Sequence, residues 1–166
     1  MSATLMVGLV FVLICVLYGI ASHLYAKTET AIVTKAGAKR DKVGSPIITR
    51  KVPAQVVRLE NGKYIRTRDY IRIIVDGDCM SPRNILRNEE WLVEPVKSSD
   101  LETKLQKKDV VLIFLEDKQM YKIREFEGYD SEGNLTTLYY DENSRKRYSS
   151  HPHPKSSVRG ILRYAI

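Results

Sequence analysis

Two cysteines, Cys15 and Cys79, are all that 166 residues contain, too few for a disulfide framework. Six prolines and nine glycines exclude a collagen-like or low-complexity chain, and 43% hydrophobic residues exclude a disordered one. The length leaves room for one compact domain with attachments, not for a multidomain enzyme. The most informative lack is local. No Asp, Glu, Lys or Arg occurs before Lys27, although 27 basic and 20 acidic residues give the whole chain a formal charge of +7.

Within that uncharged start, residues 3–22 read ATLMVGLVFVLICVLYGIAS. At about 1.5 Å per residue the run spans about 30 Å, the thickness of a hydrocarbon core. It predicts a single transmembrane helix within residues 1–26. A cleaved signal peptide fits less well: the n-region lacks a basic residue, the apolar run is too long, and Leu24-Tyr25-Ala26 lacks a small residue at its first position. Lys27, Lys35, Lys39, Arg40 and Lys42 follow the run and nothing basic precedes it. The positive-inside rule therefore predicts a cytoplasmic carboxy-terminal domain. A thiol at Cys79 suits that reducing compartment.

Residues 27–51 are polar, basic and without sustained periodicity, and they read as a tether. From 52 to 166 short β-branched and aromatic runs recur, at 54–59, 70–75, 91–96, 109–115, 119–126, 135–140 and 157–165. Asn61-Gly62 is a strong hairpin signal and Glu132-Gly133-Asn134 a weaker one. The fold class expected is mainly β. Two helical pieces are expected within it, one opening at Ser81-Pro82 with Ser81 as cap, the other at 99–106 with Ser99 and Glu102 in capping-box spacing.

The segment Val75-Asp76-Gly77-Asp78-Cys79-Met80-Ser81-Pro82 runs from a strand through a glycine turn to a helix start. Such a turn exposes a side chain beside backbone N–H groups, and the helix dipole would favour a thiolate at Cys79. The competing reading is a small buried hydrophobe.

GDCM followed by SPRNILRNEEWLVEP resembles the G-D-S-M element of LexA-like Ser/Lys peptidases and their signal-peptidase relatives. Lys108-Asp109-Val110-Val111-Leu112-Ile113 is similar to the strand that follows in those families, with Lys108 where they usually have glycine. Tyr121-Lys122-Ile123-Arg124 resembles the strand bearing their catalytic lysine, Asp141-Glu142-Asn143-Ser144 a later Asn-Ser element, and Val158-Arg159-Gly160-Ile161-Leu162-Arg163 the closing strand. The resemblance covers about residues 70–166 in order. It implies a LexA/signal-peptidase-like β domain with Cys79 as nucleophile, Lys122 as general base, and the amides of Asp78 and Cys79 as oxyanion hole. The departure from the pattern is cysteine in place of serine.

That replacement is chemically competent. A thiol with a reference pKa of about 8.5 is more acidic than an ammonium at about 10.4, which favours a thiolate–ammonium pair by about 2.6 kcal/mol before burial. The larger sulfur, however, displaces the reacting atoms, and about 1 Å of misplacement can cost about 10²-fold. LexA-like proteins often cut themselves at an Ala-Gly or Cys-Gly bond, and the tether contains Ala36-Gly37.

The function expected is peptide-bond cleavage by a membrane-anchored peptidase, with the chain's own tether or another peptide as substrate. The alternative is a catalytically silent, membrane-tethered protein-binding or scaffold module. A signal-peptidase role in trans conflicts with the predicted cytoplasmic side. No cofactor or metal is expected: His151-Pro152-His153 lacks a third ligand nearby, and Asp76 with Asp78 lacks the rest of a calcium loop. The Arg145-Lys146-Arg147 run beside Tyr139, Tyr140 and Tyr148 reads as a solvated loop rather than a nucleic-acid surface. A homodimer is a further candidate assembly.

Overall fold

The computed structural model describes Ile14 and residues 28–35, 49–141 and 143–166. The predicted transmembrane run and Ala36-Gly37 lie outside the described residues. Among the described residues no helix is long and apolar enough to cross a membrane.

The domain is mainly β, as its alternating apolar runs require. In chain order the strands are β1 (Thr28–Lys35), β2 (Thr49–Pro53), β3 (Val56–Arg58), β4 (Tyr64–Arg66), β5 (Ile71–Asp76) and β6 (Glu90–Pro95). After a short helix α1 (Leu101–Lys104) come β7 (Val110–Leu115), β8 (Met120–Tyr129), β9 (Leu135–Tyr140), β10 (Arg147–Ser149) and β11 (Val158–Ala165). β3 and β4 form the hairpin that Asn61-Gly62 announces, with Gly62 at φ +81°. The remaining nine strands form one sheet in the order β10-β9-β8-β7-β11-β6-β5-β1-β2.

An additional pairing turns this sheet into a ring. β1 lies parallel to β5 from Ala31 opposite Arg72 to Lys35 opposite Asp76, and Lys35 also pairs in parallel with Lys122 of β8. Six strands, β1, β5, β6, β11, β7 and β8, thereby close on themselves. The burial pattern follows. Ile32, Ile73, Val75, Val93, Leu112, Ile123 and Leu162, drawn from all six strands, share one cluster that also holds Cys79, Met80 and Ile85. Residues of the opposite parity, such as Val111, Ile113 and Phe126, pack outside the ring against Leu101, Leu105, Leu135 and Ile161.

The stretch expected as a tether therefore contributes two strands. Its alternation was hidden by polar residues because β1 is short on apolar side chains: Ala31 and Val33 face one cluster and Ile32 the other, and an ionic contact adds to its backbone pairing. Arg72, 5% exposed, donates to Glu29 of β1 at 2.9 Å, to Glu90 of β6 through Nε at 2.8 Å and to the Pro53 carbonyl at 2.9 Å. Burial opposes its charge, but the bonds to both carboxylates prevail and hold its pKa above the ordinary value. One guanidinium thus links β1, β5, β6 and the end of β2.

The expected helices shrink. Residues Ser81–Arg83 form a single 3-10 turn with Met80, not Ser81, at the cap and Pro82 inside the first turn. The 99–106 piece is a 3-10 turn at Ser98–Asp100 continuing into α1, and no capping box forms: Ser99 Oγ bonds Asp100, while Glu102 pairs with Lys155. Tertiary ion pairing has taken the carboxylate that the local motif needed.

Removing one partner from a buried ion pair leaves the others uncompensated. Arg72→Met is expected to cost about 3 kcal/mol in urea unfolding and to raise hydrogen exchange along β1. At Gly160 an added Cβ would lie 2.7 Å from Val93 Cγ1 and closer still to the Glu94 carbonyl oxygen. Gly160→Ala is expected to lower stability by about 1–3 kcal/mol in the same assay, through β6 being pushed off β11.

Candidate active site

β5 delivers the chain to Gly77, whose φ of +125° suits glycine and turns the backbone out of the sheet. The Ser81 amide donates to the Asp78 carbonyl at 3.0 Å, and the Arg83 and Ile85 amides donate to the Met80 carbonyl at 2.8 and 3.3 Å. Asn84 closes the turn in the left-handed region at φ +56°. Asn88 donates to the Val75 carbonyl at 2.7 Å, bringing the loop back to the start of β6. This folds Cys79 and Met80 inward, where they are 1% and 0% exposed against Ile123 and Leu112.

A buried clamp holds the turn to β8. Arg83 donates to the Lys108 carbonyl at 2.9 Å, and its Nε lies 3.3 Å from Glu125 Oε2, an ion pair without hydrogen-bond alignment. Glu125, 3% exposed, also accepts from the Tyr140 hydroxyl at 2.9 Å and lies 3.7 Å from Arg147. Burial and the adjacent Glu125 raise the Tyr140 pKa, which keeps the hydroxyl protonated and donating. Lys108 itself sits at φ +78°, the left-handed region that favours glycine.

Lys122 lies in mid-β8, opposite Ile113 of β7 and Lys35 of β1, and is 6% exposed. Since Lys35 pairs with both Asp76 and Lys122, only β1 separates the strand that leads to Cys79 from the strand that carries Lys122. Two strand spacings amount to about 10 Å. Arg124, on the same face of β8 as Lys122, is also 6% exposed and interacts electrostatically with Cys79. Burial lowers its pKa to about 10, partly offset by Cys79 and Tyr139, so it remains a cation at neutral pH.

The helix-dipole argument for a thiolate does not survive, because a three-residue 3-10 turn has almost no dipole to offer. The cation at Arg124 replaces it as the visible favourable charge. Asp78 stands at the mouth of the turn with Arg87 3.5 Å away, an exposed pair.

Residues Lys122 and Arg124 also line a cavity of about 510 Å³ on the outer side of the ring, with Ile113 and Leu115 of β7, Tyr139 of β9 and the 149–153 segment. The Arg124 guanidinium stacks over the Tyr139 ring at 4.9 Å, and Tyr148 stacks on Tyr139 at 5.8 Å between centroids. Tyr139 and Tyr140 are thus engaged within the protein, and Arg147 begins β10 rather than extending a loop.

His153 also departs from a surface-loop reading. Its backbone pairs with Leu135 through bonds of 2.7 and 2.9 Å, and its ring lies 3.1 Å from Ser150 Oγ, itself 2.6 Å from Thr137 Oγ1. Burial, then the nearby Arg124, push its pKa down from 6.5 to about 4. Among the described residues no group of three or more potential ligands gathers as a metal site. Sequence reasoning missed Arg124, Glu125 and His153. The available signal was Lys122, Arg124 and Glu125 among the apolar residues of β8, a pattern expensive to bury without purpose.

Compared with family models, curated proteins and solved structures, the chain has no match among any of the three.

His153 binds a proton less readily folded than unfolded, so its contribution is complete above about pH 6.5 and is lost as pH falls toward about 4. Urea midpoints measured across that window are expected to fall more steeply for the native chain than for His153→Asn.

Proposed function

We propose that the chain is a membrane-anchored peptidase of the LexA-like type, with Cys79 as nucleophile and Lys122 as its proton-transfer partner, acting on its own Ala36-Gly37 bond. The observation that carries this reading is the course of β1. The strand runs between the two candidate segments and ends at Lys35, paired with both of them, one residue before Ala36. The left-handed backbone at Lys108, where the resembled families usually carry glycine, and the burial of Lys122 also support it.

The chemistry follows from these groups. The Cys79 thiolate adds to the Ala36 carbonyl carbon, the amides of Asp78 and Cys79 receive the oxyanion, and Lys122 gives a proton to the Gly37 nitrogen as the C–N bond breaks. Water then adds to the thioester with Lys122, now neutral, accepting its proton. The products are an Ala36 carboxylate, a Gly37 amine and the regenerated thiolate–ammonium pair. A nucleophile that is 1% exposed suits a substrate delivered by its own chain, since a peptide from outside must first displace β1.

The same burial favours a second reading. Cys79 packs among Met80, Ile85, Leu112 and Ile123 as a small core residue would, which is what a silent binding module with a retired nucleophile presents.

Intact-mass analysis of the detergent-solubilised full chain at mildly alkaline pH separates the two. Self-cleavage predicts fragments ending at Ala36 and beginning at Gly37 from wild type and Cys79→Ser, and none from Cys79→Ala or Lys122→Ala. Cleavage by Cys79→Ser alone identifies a silenced peptidase, and an unchanged mass for every folded variant removes the self-cleavage reading.

A further inference from the structure

The outer cavity beside Lys122 holds, besides that lysine, a buried guanidinium and a hydroxyl to which the cleavage chemistry assigns no step. Arg124 is buried and lines it, and among the described residues no carboxylate lies within ion-pair distance of this guanidinium; it donates to the Ile123 carbonyl at 2.8 Å, stacks on the Tyr139 ring and interacts electrostatically with Cys79. Buried charges are expensive unless paired, and a guanidinium can bind a carboxylate through two parallel hydrogen bonds. Lys118 and Lys122 add positive charge to the lining, and among the described residues Asp117 is the only carboxylate in it. Ser150 supplies a hydroxyl there, and His153, its pKa pushed down to about 4, supplies a neutral ring that does not repel a second cation. The apolar walls at Ile113 and Leu115 match the methylene stem of a Glu side chain better than they match a bare inorganic ion.

Register connects this cavity to the groove that β1 occupies. Paired residues on neighbouring strands share a face, as do residues two apart on one strand. A peptide lying where β1 lies, with one residue opposite Lys122, therefore presents its residue two places further on level with Arg124 and on the cavity side.

We propose that the cavity is a side-chain subsite for an acidic residue, Glu before Asp, of a peptide from another protein held in the β1 groove two places beyond the contact with Lys122. It extends the peptidase reading by naming the side chain selected; its readout is binding, so its failure and that of cleavage are separate results.

The test uses the full-length protein in detergent micelles and small probes that enter the cavity without displacing β1: N-acetyl-glutamate methylamide, its glutamine analogue and inorganic phosphate. Binding is followed by NMR through the ring signals of Tyr139 and His153. The expected result is that the glutamate probe binds about ten-fold more tightly than the glutamine probe and shifts both rings. Arg124→Met is expected to abolish that preference and Arg124→Lys to retain part of it. Lys118→Glu, at an exposed rim position that does not threaten folding, is expected to weaken the glutamate probe about three-fold at low salt. Equal binding of the two probes by wild type, a preference that survives in folded Arg124→Met, or indifference to Lys118→Glu overturns the proposal. Phosphate binding without a glutamate preference also overturns it, in favour of a free oxyanion site.

Discussion

The closure of the ring by β1 is the constraint on which the rest of the domain depends. β1 covers one edge of β5 from Arg72 to Asp76 and meets β8 at Lys122, on the edge that β9 takes from Glu125 onward, and a sheet edge left open in the interior would strand backbone donors and acceptors. Covering both edges with one parallel strand encloses the cluster around Ile73, Leu112 and Ile123, and the turn bearing Cys79 and Met80 fills it. The strand that performs this service has few apolar side chains to hold it. Its position is secured mainly by backbone pairing and by Arg72, which reaches Glu29 and Glu90 from inside the sheet. A strand held by hydrogen bonds and one ionic hub is well defined in place yet inexpensive to detach, compared with one driven into the core by large side chains.

Buried charge is distributed unevenly around this frame. Arg72 and Glu125 are both satisfied by opposite charges and act as fasteners, one for β1 and one for the turn that positions Cys79. Arg124 is different, since its visible compensation is an aromatic face and a carbonyl. Adjacent in β8, Arg124 and Glu125 point to opposite sides of the strand. Glu125 is structural, whereas Arg124 carries charge toward a cavity and toward Cys79.

Most of the strands were legible because alternating apolar residues leave no other economical arrangement: β5 through β9 and β11 fall close to the runs that announce them, and both glycine hairpins form. β1 was not legible, since its role comes from two distant partners and not from its own hydrophobicity. β10 was hidden inside a basic run, because an edge strand tolerates charge on an exposed face. The capping box at Ser99 and Glu102 failed for a tertiary reason, the pull of Lys155 on Glu102. At the candidate site, Cys79 and Lys122 stood out through the resemblance of their flanking motifs. Arg124 did not, because its significance depends on burial and on which face of β8 it occupies.

The same topology separates cutting from release. A break at Ala36-Gly37 leaves β1 on the amino-terminal fragment, with the predicted membrane segment, and leaves β2 on the fragment that contains the rest of the domain. The two pieces remain joined by the parallel ladder from Ala31 to Lys35, the antiparallel ladder between β1 and β2, and the buried Arg72–Glu29 pair. Hydrolysis removes one covalent bond and none of these contacts. Freeing the domain would then require stripping β1 from β5, which reopens the ring at Lys122. Under this arrangement the uncut chain and the freshly cut chain are both occupied at the groove, and only loss of β1 makes it available to a peptide from elsewhere.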